Sequence, residues 1–140
     1  MSLLGDRLKK AGIDKRSFEQ GEIYLAKDPD VKIPDSTLTG RTFHNKRPVV
    51  IVFSCVVNKE PLYPVVVAAP LSHDVSRKRA IDLEITAEGS GADSDSLLRL
   101  GLIQPFLKID LEGPVGKLAS QQVDQMVGLL IELSGVDLGE

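Results

Sequence analysis

The sequence predicts a mainly β protein of the α+β class, a small β-barrel or strongly bent sheet with a helix packed on it. Three observations carry this. Two Val- and Ile-rich runs, 48–57 and 63–70, lie back to back around the polar break at 58–62. They are too short for ordinary helices and read as the paired strands of a hairpin. Further short apolar segments, separated by Gly and Pro, give five or six strands in meandering order. One long helical stripe appears, near the C-terminus. Consecutive short strands followed by a terminal helix argue against a parallel α/β sheet.

Residues 3–19 read as a weakly amphipathic helix with Leu4, Leu8 and Ala11 on one face, weakened by Gly5 and Gly12. Gln20-Gly21 ends it. Glu22 to Ala26 then alternates as a strand, with Ile23 and Leu25 on one face. The domain is therefore expected at 21–140, preceded by a helical extension at 1–20.

Residues 27–46 form a long irregular connection, broken by Pro29, Pro34 and Gly40. Connections of this length inside a compact domain usually carry function. Its second half holds Arg41, Phe43, His44 and Lys46, with Arg47 next. Cations beside an aromatic ring suit a polyanion with stackable bases. A solvated loop with Phe43 tucked inward is the plainer alternative.

The hairpin follows. Its continuous rather than alternating apolarity predicts burial on both faces. Arg47 stands at the entrance of the first strand and Ser72 just past the exit of the second. A hairpin brings the two together, and a cation beside a hydroxyl can hold an oxyanion such as phosphate. Cys55 falls in the apolar run and is expected to be a buried small hydrophobe. The next loop, 73–79, adds His73, Arg77, Lys78 and Arg79 at the same end as Arg47.

Residues 80–86 alternate cleanly, with Ile81, Leu83 and Ile85 inward and Ala80, Asp82, Glu84 and Thr86 outward. A polar loop, 87–96, leads to strands at 97–104 and 106–109, or one bent strand, with Pro105 at the break. Gly113-Pro114 is expected to turn the chain. The helix runs from Ser120 to Leu133 with Val123, Met126, Val127, Leu130 and Ile131 as its core stripe, and Gly135 stops it.

The chain has 140 residues, 42% hydrophobic and 26% charged, enough for one domain with a real core. No run approaches the roughly 20 apolar residues that cross a bilayer, and no signal peptide is evident. A single cysteine fits a reducing cytoplasm, and no Cys or His cluster has metal spacing. Net charge is −3, but residues 1–80 carry 14 Lys+Arg against 9 Asp+Glu, and residues 81–140 carry 3 against 11. One part of the molecule can thus attract a polyanion while the rest does not.

Five landmarks in order resemble the MazF/PemK family of bacterial toxins, the Kid or CcdB-like group of type II toxin–antitoxin systems. They are Gly21-Glu22-Ile23; Arg47-Pro48 leading into 49–53 and Ser54; Pro70-Leu71-Ser72; Gly101-Leu102-Ile103-Gln104; and Gly116-Lys117-Leu118 before the helix. The resemblance spans 21–135 and leaves the helix at 3–19 as an extra. It implies an SH3-like barrel that dimerises, pairs with an antitoxin in the cytoplasm, and cuts single-stranded RNA at short sequences without a metal or other cofactor. It maps the working pair onto Arg47 and Ser72. Many members carry an acid just before the landmark Gln, where this chain has Ile103.

Metal-free RNA cleavage uses the neighbouring 2′-hydroxyl as nucleophile. It needs proton transfer and positive charge for a phosphorane-like transition state. Arg47 supplies forked donors, and Ser72 orients phosphate. His44 is the third catalytic candidate, because histidine titrates near neutrality. Arg41, Phe43, Lys46, His73, Arg77 and Gln104 are candidate RNA contacts. Two other readings stand beside this one: a protein-directed toxin acting on a topoisomerase such as gyrase, suited by the acidic 81–140 half, and a catalytically inactive relative with a repurposed surface.

Overall fold

A computed structural model describes residues 13–34, 45–86 and 94–135. Seven strands form one antiparallel sheet: β1 (Glu22–Lys27), β2 (Lys46–Ile51), β3 (Val65–Ser72), β4 (Asp82–Ile85), β5 (Ser96–Arg99), β6 (Gln104–Leu107) and β7 (Glu112–Lys117). The helix α1 (Ser120–Leu133) follows the last strand. The sheet order is β4-β5-β3-β2-β1-β7, with β6 also on β3.

The apolar hairpin is the centre of this sheet. Val49, Val50, Ile51 and Val52 are all fully buried. Alternate residues point to opposite faces, and each face has its own core. One core gathers Tyr24, Ala26, Val49, Ile51, Val66, Ala68 and Phe106 under Phe18, Val31 and Ile33. The other gathers Ile23, Val50, Val52, Ala69, Leu71, Ile85 and Leu98 against Leu118 and Met126. Burial on both faces is therefore why β2 and β3 read as continuous apolar runs.

The sheet is bent but open, not the closed barrel expected. Ala68 pairs with Ile51 on one side and Gln104 on the other, while Leu71 and Ser72 pair with β5. β5 and β6 thus share one edge of β3, with a 3₁₀ turn at Leu100–Leu102 between them. After β6 the chain enters a second 3₁₀ turn, Lys108–Asp110. Main-chain carbonyls of this region bind a side chain instead of a strand. Arg16 donates from Nη1 to Leu111 O (2.7 Å) and Gly113 O (3.2 Å), and from Nη2 to Lys108 O (2.7 Å).

The extra N-terminal helix expected at 3–19 does not extend through 13–19, which is irregular; the rest of it lies outside the described residues. This stretch is tied down by Asp14 N–H to Pro61 O and Phe18 N–H to Asn58 O, both 3.2 Å. Phe18 stacks obliquely on Tyr24, with ring centroids 4.7 Å apart.

Other expectations also shift. Gly113-Pro114 lies inside β7 rather than at a turn. A register shift between Ile23 and Leu25 of β1 makes room there; an edge strand tolerates the missing proline N–H. Pro105 pairs with Val67 within β6. In β4 the alternation is reversed at its start: Ile81 is exposed and Asp82 buried, because Asp82 pairs with Arg99 (3.3 Å) and accepts from the Arg79 N–H (3.0 Å). Cys55 is exposed, since β2 ends at Ile51 and the chain leaves the sheet for a 3₁₀ turn at Val56–Lys59. In α1, Met126 is fully buried with Val123, Leu129 and Leu130 packed beside it, whereas Ile131 is exposed.

Gly21 joins the N-terminal stretch to the sheet. Its φ is +88°, and an added Cβ would stand 2.7 Å from Val123 Cγ2 on α1. Its N–H donates to Ile51 O (2.8 Å) and its carbonyl accepts from Leu118 (2.9 Å). Gly21→Ala combines a left-handed backbone with a clash and is expected to cost roughly 2–4 kcal/mol. A thermal melt checks this; an unchanged midpoint would show that α1 yields freely at that point.

Candidate functional site

The β2–β3 ladder ends at the pair of Val49 with Pro70. Beyond it, at this mouth of the sheet, Arg47 reaches the Leu71 carbonyl, next in the chain to Ser72. Arg47 is held from two sides. Its Nε donates to Asp28 Oδ1 (2.7 Å) and its Nη1 to Leu71 O (3.1 Å). The Arg47 side chain is only 12% exposed and Asp28 is completely buried. Among the described residues no acceptor meets Nη2. A fork of N–H groups therefore remains for a phosphate oxygen.

Asp28 was not singled out in the sequence. It stands directly after β1 in the 3₁₀ turn Asp28–Asp30, and its N–H reaches Asn45 O (3.4 Å). Nothing local in the sequence links it to an arginine nineteen residues on. The juxtaposition arises because β1 and β2 pair antiparallel, with Ala26 opposite Arg47 and Lys27 opposite Lys46.

Ser72 closes β3 opposite Leu97. Its Oγ accepts weakly from the Asp74 N–H (3.4 Å), which leaves its own proton to donate. Asp74 in turn caps the 3₁₀ turn Val75–Arg77 by accepting from Ser76. Arg77 ends that turn, and exposed Lys78 and Arg79 follow it. His73 is exposed, and its Nδ1 shares a hydrogen bond with Ser94 Oγ (2.8 Å), which fixes the ring and turns Nε2 away from that contact. The loop thus leaves the sheet at the Arg47 end.

Lys46 lies on the same rim, but its Nζ pairs with both oxygens of Glu112, 2.7 Å each. This is an exposed pair and easily exchanged for a phosphate contact. Gln104 is placed differently. Its Oε1 accepts from the Lys32 N–H (2.8 Å), and its Nε2 donates to the carbonyls of Lys32 and Leu102, 3.0 Å each. Its amide fastens the first arm of the 27–46 connection to β6. Arg41, Phe43 and His44 lie outside the described residues. Ile103, the departure before Gln104, is partly buried against the helix-side core.

A second charged group went unnoticed in the sequence. Lys108 is fully buried, and its Nζ donates to Val57 O (2.8 Å) and Glu60 O (3.0 Å). It sits 5.7 Å from the Phe18 ring centre and 6.0 Å from that of Tyr63. Burial pushes its pKa below the ordinary lysine value, against the pull of Asp14 and Glu60. Asp14 is itself bound by Arg16 at 2.6 Å. Burial raises the Asp14 pKa, but the hydrogen bonds and charge of Arg16, with the charge of Lys108, hold it below the usual carboxylate value. Beside this group lies a cleft of about 710 Å³ lined by Asp14, Lys15, Arg16, Lys27, Asp110 and Glu112 among others. Its three carboxylates balance its three cations, so it offers a polyanion no net positive charge. The only hint in the sequence was one lysine between Leu107 and Ile109.

A family model described as PemK-like, MazF-like toxin of type II toxin-antitoxin system matches residues 19–133. Among solved structures, the chain is similar to the Mycobacterium tuberculosis toxin MazF-mt6, with TM-score 0.62 and 22% identity over 83% of this chain and 98% of that one. It is also similar to a mycobacterial endoribonuclease in complex with its cognate antitoxin, with TM-score 0.63 and 14% identity over 85% and 96%. A third is MazF in the MazE–MazF complex of Deinococcus radiodurans, with TM-score 0.59 and 13% identity over 85% and 96%. No curated protein matches the chain. At these identities the structural likenesses establish the fold alone. Among the described residues no helix is long and apolar enough to cross a membrane.

Proposed function

The chain belongs to the PemK-like, MazF-like toxin family of type II toxin–antitoxin systems, and from that premise we propose that it is an endoribonuclease that cuts single-stranded RNA by 2′-hydroxyl attack, without a metal. The observation that supports this is that Arg47 reaches from β2 to the Leu71 carbonyl beside Ser72, with N–H groups beyond its two contacts among the described residues.

The chemistry follows from the residues. A scissile phosphate at the mouth takes forked hydrogen bonds from the Arg47 Nη groups. These strengthen as charge gathers on the phosphoryl oxygens in the transition state. Ser72 donates its hydroxyl proton to the same phosphate and fixes its rotation. His44 and His73 are the imidazoles proposed to take the 2′-hydroxyl proton or protonate the 5′-oxygen. Lys46 and His73 on this rim, with Arg41, Phe43 and Arg77, are the proposed RNA contacts. The 27–46 connection is fastened to the sheet by Asp28 to Asn45 and by Lys32 to Gln104. The partners proposed are single-stranded RNA, a cognate antitoxin and a second copy of the chain, in the cytoplasm. An antitoxin is bound to the endoribonuclease from mycobacteria and, as MazE, to MazF from Deinococcus.

The test is to incubate the protein with a long single-stranded RNA in the presence of EDTA and map the ends. Discrete cuts bearing 2′,3′-cyclic phosphate are the expected result. Intact RNA at every protein concentration would overturn the proposal and direct the next test to gyrase supercoiling.

A further inference from the structure

Among the groups at the mouth, the completely buried Asp28 carboxylate is the one the proposed cleavage does not use. It is anchored in a short turn and meets Arg47 Nε at 2.7 Å. We propose that Asp28 is a positioning residue that converts Arg47 from a mobile cation into a fixed fork aimed at the scissile phosphate.

The inference rests on the ribonuclease reading for its effect on rate, but its geometry stands alone. An arginine offers five N–H donors in one plane. Asp28 takes the Nε proton and Leu71 O one Nη1 proton. Two contacts on different nitrogens fix the plane of the guanidinium and its rotation in that plane. The remaining donors, on Nη1 and Nη2, then point in set directions. The Asp28 carboxylate at 2.7 Å also offsets the Arg47 charge. Arg47 therefore contributes little to long-range attraction of RNA, which falls to the rim cations. Its contribution is directional, and directional donors act on the transition state more than on ground-state binding. Asp28 also ties the base of the 27–46 connection to this arginine, through the Asp28 N–H contact with Asn45.

A purely structural role predicts that loss of Asp28 lowers the folded fraction and leaves the folded molecules competent. A positioning role predicts opposite effects on rate and binding. In Asp28→Asn the guanidinium gains rotation and an uncompensated charge. Single-turnover cleavage is expected to fall at least 30-fold. Affinity for a fully 2′-O-methylated single-stranded RNA, which cannot be cut, is expected to hold or rise severalfold. Its salt dependence should steepen by up to about 0.7 in log–log slope, the value of one extra phosphate contact. Asp28→Glu restores the charge with one more methylene and is expected to regain at least threefold in rate over Asp28→Asn. Both variants are melted first, so that rates refer to folded protein.

A readout on the wild type needs neither variant to fold. The Arg47 Nε–H resonance, assigned by its loss in Arg47→Lys, is expected to be sharp and slow to exchange with water. An exchange-averaged resonance would overturn the inference. So would an Asp28→Asn rate within threefold of wild type, or a rate loss matched by an equal loss of RNA affinity. If wild type leaves RNA intact, the ribonuclease reading fails, and the resonance still decides whether Asp28 holds Arg47.

Discussion

Arg47→Ala is expected to reduce RNA cleavage about 10²–10³-fold, the usual cost of removing a donor aimed at developing negative charge. Part of any loss in this variant has another source. It removes the Arg47 guanidinium from the buried Asp28 carboxylate, and breaking a buried ion pair by deleting one member costs about 3–5 kcal/mol of stability. Arg47→Lys separates the two effects. It keeps a cation beside Asp28 and so protects the fold, but an ammonium is a point charge without the planar fork. A melting curve near wild type with cleavage still down about 100-fold would place the loss in the geometry of the donors. Arg47→Lys cleaving within threefold of wild type would show that only charge matters at this position. Ser72→Ala, measured beside it, is expected to lose less, on the order of 10-fold, as a neutral hydrogen bond is weaker than a charged one.

Lys108→Ala is expected to destabilise the fold by about 3–5 kcal/mol. The alanine loses the packed side-chain stem and leaves a cavity. It also leaves the Val57 and Glu60 carbonyls without their donor. For a chain of this size the melting midpoint should drop by roughly 10–15 °C. Lys108→Met fills the space but not the hydrogen bonds, and is expected to lose about half as much. A drop below 3 °C for alanine would show that water replaces the ammonium at no cost.

The same group sets the response to pH. Asp14 has a lowered pKa when folded, so its stabilisation is complete above the ordinary value of 3.8 and is lost as pH falls below it. Lys108 is also lowered, from 10.5, so between its folded value and 10.5 the unfolded chain holds more protons and stability rises with pH. Tyr24 acts the other way. Burial, with its hydrogen bond to Glu22, raises its pKa well above 10.0, so above that pH the unfolded chain loses the proton first and stability falls. Urea unfolding between pH 3 and 11 is therefore expected to show an acid loss removed in Asp14→Asn. In Tyr24→Phe the alkaline loss should disappear. An acid loss unchanged in Asp14→Asn would assign it to other carboxylates.

The sequence by itself determined the central hairpin, the mainly β class, and the helix from Ser120 to Leu133 with its Gly135 stop. These rest on local rules: apolar runs of strand length, helical spacing, and a glycine where the backbone turns left-handed. It also placed Arg47 at the entrance of β2 and Ser72 at the end of β3, because a hairpin brings together the start of one strand and the end of the next. The family followed from five such landmarks in order. The tertiary structure alone decided whether the sheet closes, where Gly113-Pro114 lies, and that Asp82 turns inward while Cys55 turns out. It alone revealed Asp28 behind Arg47, Gln104 clamped on Lys32, and the Asp14, Arg16 and Lys108 group under Phe18. Each of these depends on a partner distant in the chain. A buried charge has the same local sequence signature as an exposed one, and only the fold supplies the counterion or carbonyl that makes its burial tolerable.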